Sequence, residues 1–292
     1  MSETVVLRVR VDVPVERVHQ ALTSADELRV WLAEHAEVDL PDRYAFWGRH
    51  TPEGDAPRQE LQHVDDTSLR FTWHVGGEDT TVEFTLAPEE SGTVVAVSQS
   101  HFPGWADAVQ ETGVLGWLYT YWALNLANLV EHLEGRELTP KADFTSTDMR
   151  ASVEIAAAKD AVYRALVDAN EYSTWFGAKI DIEPWTGGRV AMGGFENNPE
   201  PGKVLELVEG ERMTIDWGDS VVSTWELAES GGGTRLTFVQ SGFVDGRPPY
   251  GAWLGWLSGV AEVRRYLELP DWRPIWLQPE VPGLPEGMLT GE

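Results

Sequence analysis

VRVDVPVERVHQALTSADELRVWL, running from Val9 to Leu32, returns 144 positions later as VEIAAAKDAVYRALVDANEYSTWF, from Val153 to Phe176. Within these stretches Val9, Val11, Val18, Ala21, Leu22, Ala25, Glu27 and Trp31 face Val153, Ile155, Val162, Ala165, Leu166, Ala169, Glu171 and Trp175. The same offset carries Leu69, Phe71 and Trp73 onto Met213, Ile215 and Trp217. Further on the offset shortens, and Gly92, Thr93, Val95, Val97, Gln99, Ser100 and Phe102 match Gly233, Thr234, Leu236, Phe238, Gln240, Ser241 and Phe243. One shared motif could be chance, but several in one order are not. The chain is two copies of one unit, with insertions placed in loops, where they are tolerated.

Each copy opens on an alternating strand, Val5 to Val13 and Ala151 to Ile155, and continues into two short helices. Pro14 suits a first helical position, Val18, Ala21 and Leu22 recur at helical spacing, and Asp26 and Asn170 are read as equivalent N-caps. About five alternating segments follow, separated by turn residues such as Asp65-Asp66, Gly76-Gly77, Gly193-Gly194 and Gly231 to Gly233, and read as an antiparallel meander. A long amphipathic helix closes each copy, with Trp122, Leu126, Leu129 and Leu133 answered by Trp256, Val260, Val263 and Leu267. This is an α+β order of elements.

Composition agrees with two cores: 292 residues are about twice a usual domain length, and 42% are hydrophobic. With Asp+Glu 48 against Lys+Arg 22, the formal charge of −26 argues against a nucleic-acid partner or an anionic membrane surface. No apolar run approaches the roughly 20 residues of a membrane span. Cysteine is absent, and Met1-Ser2-Glu3-Thr4 lacks the pattern of a signal peptide, so a cytoplasmic protein is expected. The many loop acids, among them Glu53, Asp55, Asp107 and Glu111, are read as solvated surface.

Trp175-Phe176, Gly187-Gly188-Arg189, Gly233-Thr234-Arg235-Leu236, Gln240-Ser241-Gly242-Phe243 and Gly255-Trp256 through Leu267-Glu268 resemble the bacterial AHSA1-like family, named for the activator of the Hsp90 ATPase, within the START/Bet v 1-like (SRPBCC) superfamily. The second copy is closer to the pattern; in the first, Pro41-Asp42-Arg43 stands in place of the glycine pair and His101 replaces a small residue. The resemblance implies two tandem helix-grip domains, residues 1–134 and 150–268, with a linker at 135–149 and a proline-rich tail at 269–292. It also implies an apolar cavity between a curved sheet and the closing helix. It does not imply one chemistry, so function has to come from the site.

Strand alternation puts Val95, Val97, Gln99 and His101 on one face of their strand, and Leu236, Phe238 and Gln240 on one face of theirs. Gln99 and Gln240 therefore aim inward, where an amide must bond to backbone, water or ligand. Trp73, Trp117, Trp122, Trp217, Trp225, Trp253 and Trp256 fall on inward strand positions or on the closing helices, where they either fill the interior or line a pocket for a flat ligand. Asn125 could add a polar contact in the first copy. All seven histidines lie in the first copy, and His101 is the one on an inward row, either as an acid–base group or as a rim residue. No paired-histidine helix motif and no dinucleotide or phosphate loop is present, so neither metal nor cofactor is expected.

Three functions follow as expectations. The first is binding of a hydrophobic or aromatic small molecule between sheet and closing helix, with Trp73, Gln99, His101, Trp117, Trp122, Asn125, Trp217, Trp225, Gln240, Trp253 and Trp256 as the lining. The second is a cyclase or aromatase acting in the first cavity through His101, and the third a co-chaperone with an Hsp90-like partner. In the tail, Pro270, Pro274, Pro279, Pro282 and Pro285 exclude a regular helix or a central strand, yet Trp272, Ile275, Trp276 and Leu277 predict docking against a domain surface.

Overall fold

The computed structural model describes residues 3–110, 113–218, 221–244, 246–286 and 288–289; Glu111 lies outside them. The chain forms two compact units, one of residues 1–146, 250–258 and 275–284, the other of 147–249, 259–274 and 285–292.

The first unit starts with β1 (Glu3–Val11), whose Val5, Leu7, Val9 and Val11 are buried in strict alternation. Helices α1 (Val15–Thr23) and α2 (Ala25–Trp31) follow. Only Ser24 separates them, and it is extended, so the cap of α2 is Ser24, whose hydroxyl accepts the Glu27 amide, and not Asp26. A two-stranded hairpin, β2 (His35–Asp39) and β3 (Arg43–Trp47), precedes β4 (Gln59–Asp65), β5 (Ser68–Val75), β6 (Glu78–Glu89) and β7 (Gly92–Phe102). After the single turn α3 (Trp105–Ala108), α4 (Val114–Leu133) lies across β1 and β7 and buries Leu118, Trp122, Leu126 and Leu129 against the sheet.

The second unit repeats the order: β8 (Arg150–Ile155), α5 (Lys159–Val167), α6 (Ala169–Phe176), then β9 (Ile180–Ile182), β10 (Arg189–Met192), β11 (Gly202–Val208), β12 (Arg212–Asp216), β13 (Val222–Ser230) and β14 (Gly233–Ser241). Here too the cap sits two residues before the expected one: Asp168, and not Asn170, accepts the amides of Asn170 and Glu171 at 2.9 and 3.0 Å. The seven strands form one antiparallel sheet ordered β8-β14-β13-β12-β11-β10-β9. Helix α7 (Tyr250–Glu268) closes the copy, its first nine residues grouping with the first unit and the rest with the second. Each copy thus has six strands after its helix pair, one more than expected.

The repeat is visible in bonds as well as in letters. Trp31 Nε1 donates to Ala21 O at 3.0 Å and Trp175 Nε1 to Ala165 O at 2.8 Å, pinning each helix pair. Thr93 Oγ1 donates to Val13 O and Thr234 Oγ1 to Ala157 O, both at 2.8 Å. A Cβ on Gly92 would stand 2.1 Å from Val11 O, and one on Gly233 2.3 Å from Ile155 O, so both strands need glycine where they begin. Gly233→Ala is expected to cost about 1–3 kcal/mol by overpacking, read by chemical denaturation; unchanged stability would mean the strands part there at no cost.

The tail departs from simple expectation. Residues Trp276–Glu280 form β15, which pairs antiparallel with the outer edge of β1, in a first sheet ordered β15-β1-β7-β6-β5-β4. The register shifts between the Val6–Glu280 and Arg8–Leu277 pairs, placing Pro279 in the irregularity. A proline with no N–H to give is tolerated at such an edge. Trp272 docks in the second unit, its Nε1 donating to Glu262 Oε1 at 2.8 Å and its ring edge-on to Tyr266.

Candidate functional site

On the inner face of the first unit, Gln99 is 1% exposed and its Oε1 accepts Trp122 Nε1 at 3.0 Å, while its Nε2 donates to Ser100 O at 3.4 Å. The amide ties a strand to α4, so its hydrogen bonds are used. Trp122 meets Phe84, Phe46, Trp73 and Tyr121 edge-on with centroids 5.0–6.5 Å apart, and all five rings are buried. These rings pack on one another as an aromatic core. Trp73 Nε1 is buried within it and lacks a partner among the described residues. Asn125 Nδ2 donates to Tyr121 O, one turn back on its own helix, at 2.8 Å, so its amide is turned onto the helix backbone.

His101 does not continue the inward row. Its φ of +63° breaks the alternation of β7, so the inward place passes to Phe102, which is 1% exposed and packs with Val5, Ala108 and Val281. His101 is half-buried, with Nδ1 2.9 Å from Ser100 Oγ. Trp117, also half-buried, stacks on Phe144 and tilts against Tyr250.

The second unit treats its glutamine differently. Gln240 is 3% exposed, yet neither Nε2 nor Oε1 has a partner among the described residues. Directly across the ladder stands Ser223, fully buried, whose Oγ accepts Trp217 Nε1 at 3.0 Å. One step along the same row, Trp225 and Phe238 lie with centroids 4.4 Å apart. Trp217, Ser223, Trp225, Phe238 and Gln240 thus share this part of the unit. Trp253 and Trp256, each 5% exposed, lie in the stretch of α7 that groups with the first unit.

Charged groups gather elsewhere. Glu27 Oε2 accepts Arg17 Nη1 at 2.7 Å and His132 Nε2 at 2.8 Å; burial pushes the carboxyl up, and these hydrogen bonds outweigh it and hold it below the usual range. His50 Nδ1 donates to Ala142 O at 2.8 Å, and burial lowers its pKa. Lys141 donates to Arg29 O and Val30 O, its pKa pushed down to about 8 by burial and the nearby Arg49. Among the described residues no group of three or more His, Cys, Asp or Glu is placed to hold a metal ion, and no helix is long and apolar enough to cross a membrane.

Alternation could show which residues face inward, but not which polar atoms find partners there. Nor could it show Tyr44, which comes from a short hairpin and is buried with a hydroxyl that has no partner among the described residues.

The family model described as "Activator of Hsp90 ATPase homolog 1-like protein" matches residues 12–134 and again 156–268. Among solved structures, DynU16, a protein of the dynemicin biosynthetic locus, is similar over 89% of this chain and 96% of its own, at 17% identity and a TM-score of 0.36. An AHSA1-like protein of Rhizobium etli is similar over 48% of this chain and 87% of its own, at 19% identity and a TM-score of 0.37. A protein of Chromobacterium violaceum is similar over 43% and 99%, at 26% identity and a TM-score of 0.33. No curated protein sequence matches the chain. Two matched segments, covering most of the residues and each containing one copy of the repeat, place this chain in the activator of Hsp90 ATPase homologue 1-like family as a tandem pair.

Proposed function

We propose that the protein binds a flat, hydrophobic small molecule on the inner face of its second unit, with the Gln240 amide as the polar contact. The observation that carries this reading is the contrast between two glutamines that the repeat makes equivalent. Gln99 bonds to Trp122, whereas Gln240 is buried to a similar degree with both amide atoms unpartnered among the described residues. Leaving a buried amide unsatisfied costs about 1–3 kcal/mol, and a ligand that takes both bonds removes that cost. Trp225 and Phe238 supply flat apolar neighbours, the usual surroundings of a small-molecule site.

The amide presents one donor and one acceptor edge, so the matching ligand is a planar apolar molecule with a donor and an acceptor side by side, such as a lactam or a hydroxylated aromatic ketone. An acid–base role has less support, because His101 has left the inward row of the first unit.

A panel of planar lactams and hydroxyketones, beginning with 2-quinolone, tests the reading by thermal shift and native mass spectrometry. Binders are expected that raise the wild-type melting temperature, and Gln240→Leu is expected to weaken them about tenfold, the equivalent of one good hydrogen bond. A panel without binders, or binders indifferent to Gln240→Leu, would overturn it.

A further inference from the structure

The repeat that matches the two copies also matches their first strands, and the outer edges of those strands differ. In the first unit β15 covers the outer edge of β1, whereas in the second β8 is the last strand of its sheet, and no strand pairs with its outer side among the described residues. Gln240 N donates to Met149 O, so the peptide groups of Met149, Ala151, Val153 and Ile155 turn toward β14. Those of Arg150, Ser152 and Glu154 therefore turn outward, and all three residues are exposed. Unpaired N–H and C=O groups along such an edge are a template for another strand.

The other edges of the two larger sheets are blunted. β15 holds Pro279 in a register irregularity, β4 has a shift between Leu61 and His63, and β9 is three residues long. β8 runs six residues in unbroken register with β14.

The charges along β8 select what it fits. Antiparallel pairing of two copies of the strand about Ser152 places Ser152 opposite Ser152 and, on each side of it, Arg150 of one copy opposite Glu154 of the other. These are the residues whose peptide groups turn outward, so the ladder bonds and the charge pairs fall in one register. Unlike charges directly opposite one another attract, and like charges repel. A twofold axis through Ser152 generates both pairs at once and closes the association at two copies. Within their own unit Arg150 meets Glu226 at 3.0 Å and Glu154 meets Arg235 at 2.7 Å, yet their side chains are 52% and 47% exposed, which leaves each free to take a second partner.

The first copy excludes the same arrangement. The residues that the repeat sets against Arg150, Ser152 and Glu154 are Val6, Arg8 and Arg10. Two such edges paired about Arg8 would bring two arginines face to face; instead Arg8 meets Glu280 of β15 at 2.6 Å.

We infer that the outer edge of β8 is a self-association surface, at which two copies of the chain pair antiparallel about Ser152 into one continuous sheet, with an Arg150–Glu154 contact on each side of the axis. One short ladder buries less than the roughly 1,000 Å² of a stable interface, so the dimer is weak and concentration-dependent. The formal charge of −26 on each copy opposes it, and about 0.15 M salt, with a Debye length of about 8 Å, screens that long-range repulsion more than the contact pairs.

Sedimentation velocity at this salt, from micromolar to millimolar protein, is expected to show wild type passing from monomer to dimer. Arg150→Glu and Glu154→Arg are each expected to weaken the dimer at least tenfold, because each sets like charges opposite one another in both pairs. Mixed in equal amounts, the two variants are expected to associate again at wild-type strength, since one edge then carries two acids and the other two bases. Both substitutions lie on the exposed face and break only surface ion pairs, so each variant melts near wild type. Amide hydrogen exchange at Ser152 of the wild type is expected to slow as concentration rises, a readout that needs no variant to fold. A wild type that is monomeric throughout, single variants that dimerise like wild type, a mixture that stays monomeric, or Ser152 exchange indifferent to concentration would overturn the proposal.

Discussion

Ending the chain after Glu268 lowers the melting temperature by about 10 °C or more and makes the protein prone to self-association. The deleted residues include β15, which covers the outer edge of β1, together with Ile275 and Val281, 2% and 9% exposed. Burying those two side chains is worth about 1.5–3 kcal/mol each. The β1 ladder, the bond from Trp105 N to Pro282 O and the contact of Trp272 with Glu262 add to this. At about 2–4 °C per kcal/mol for a domain of this size, the sum reaches the stated shift. The exposed edge of β1, with Val5, Leu7, Val9 and Val11 behind it, becomes a template for other strands. Calorimetry with light scattering checks both effects, and a truncated protein that melts and stays soluble like the full chain would show that the tail contributes nothing to the first unit.

Trp122→Ala has a comparable effect from inside the core. A buried tryptophan cut to alanine costs about 3–5 kcal/mol through lost burial and the cavity left behind. Here the cost is compounded, because Gln99 Oε1 loses its donor and is left buried. Trp122→Phe separates the two contributions: it keeps a ring among Phe46, Phe84 and Trp73 but removes the N–H, for an expected loss of about 1–3 kcal/mol. Chemical denaturation of both variants provides the measurement. If Trp122→Phe were as stable as wild type, the bond to Gln99 would carry no weight in the fold.

The fold was legible because its landmarks are residues whose side chains bond to distant backbone. Trp31 and Trp175, and Thr93 and Thr234, are such landmarks, and they recur with the bonds they make. Local boundaries were less legible: the one-residue break between helices moved the caps to Ser24 and Asp168. His101 was misplaced because alternation presumes an unbroken strand, and one left-handed residue shifts the next side chain inward. The tail was legible as a docking segment from its apolar residues, but its pairing with β1 was not, since the prolines that exclude a regular strand do not exclude an irregular edge. The difference between Gln99 and Gln240 was beyond reach, because two identical letters in matching strands say nothing about which of them has a partner.

That difference is the central claim, and thermal unfolding of Gln99→Leu and Gln240→Leu without ligand tests it most directly. Gln99→Leu strands the Trp122 N–H and is expected to melt well below wild type, whereas Gln240→Leu removes an amide without a partner among the described residues and is expected to melt at or above it. A Gln240→Leu protein that loses as much stability as Gln99→Leu would contradict the account, because Gln240 would then be tying down the fold and not waiting for a ligand.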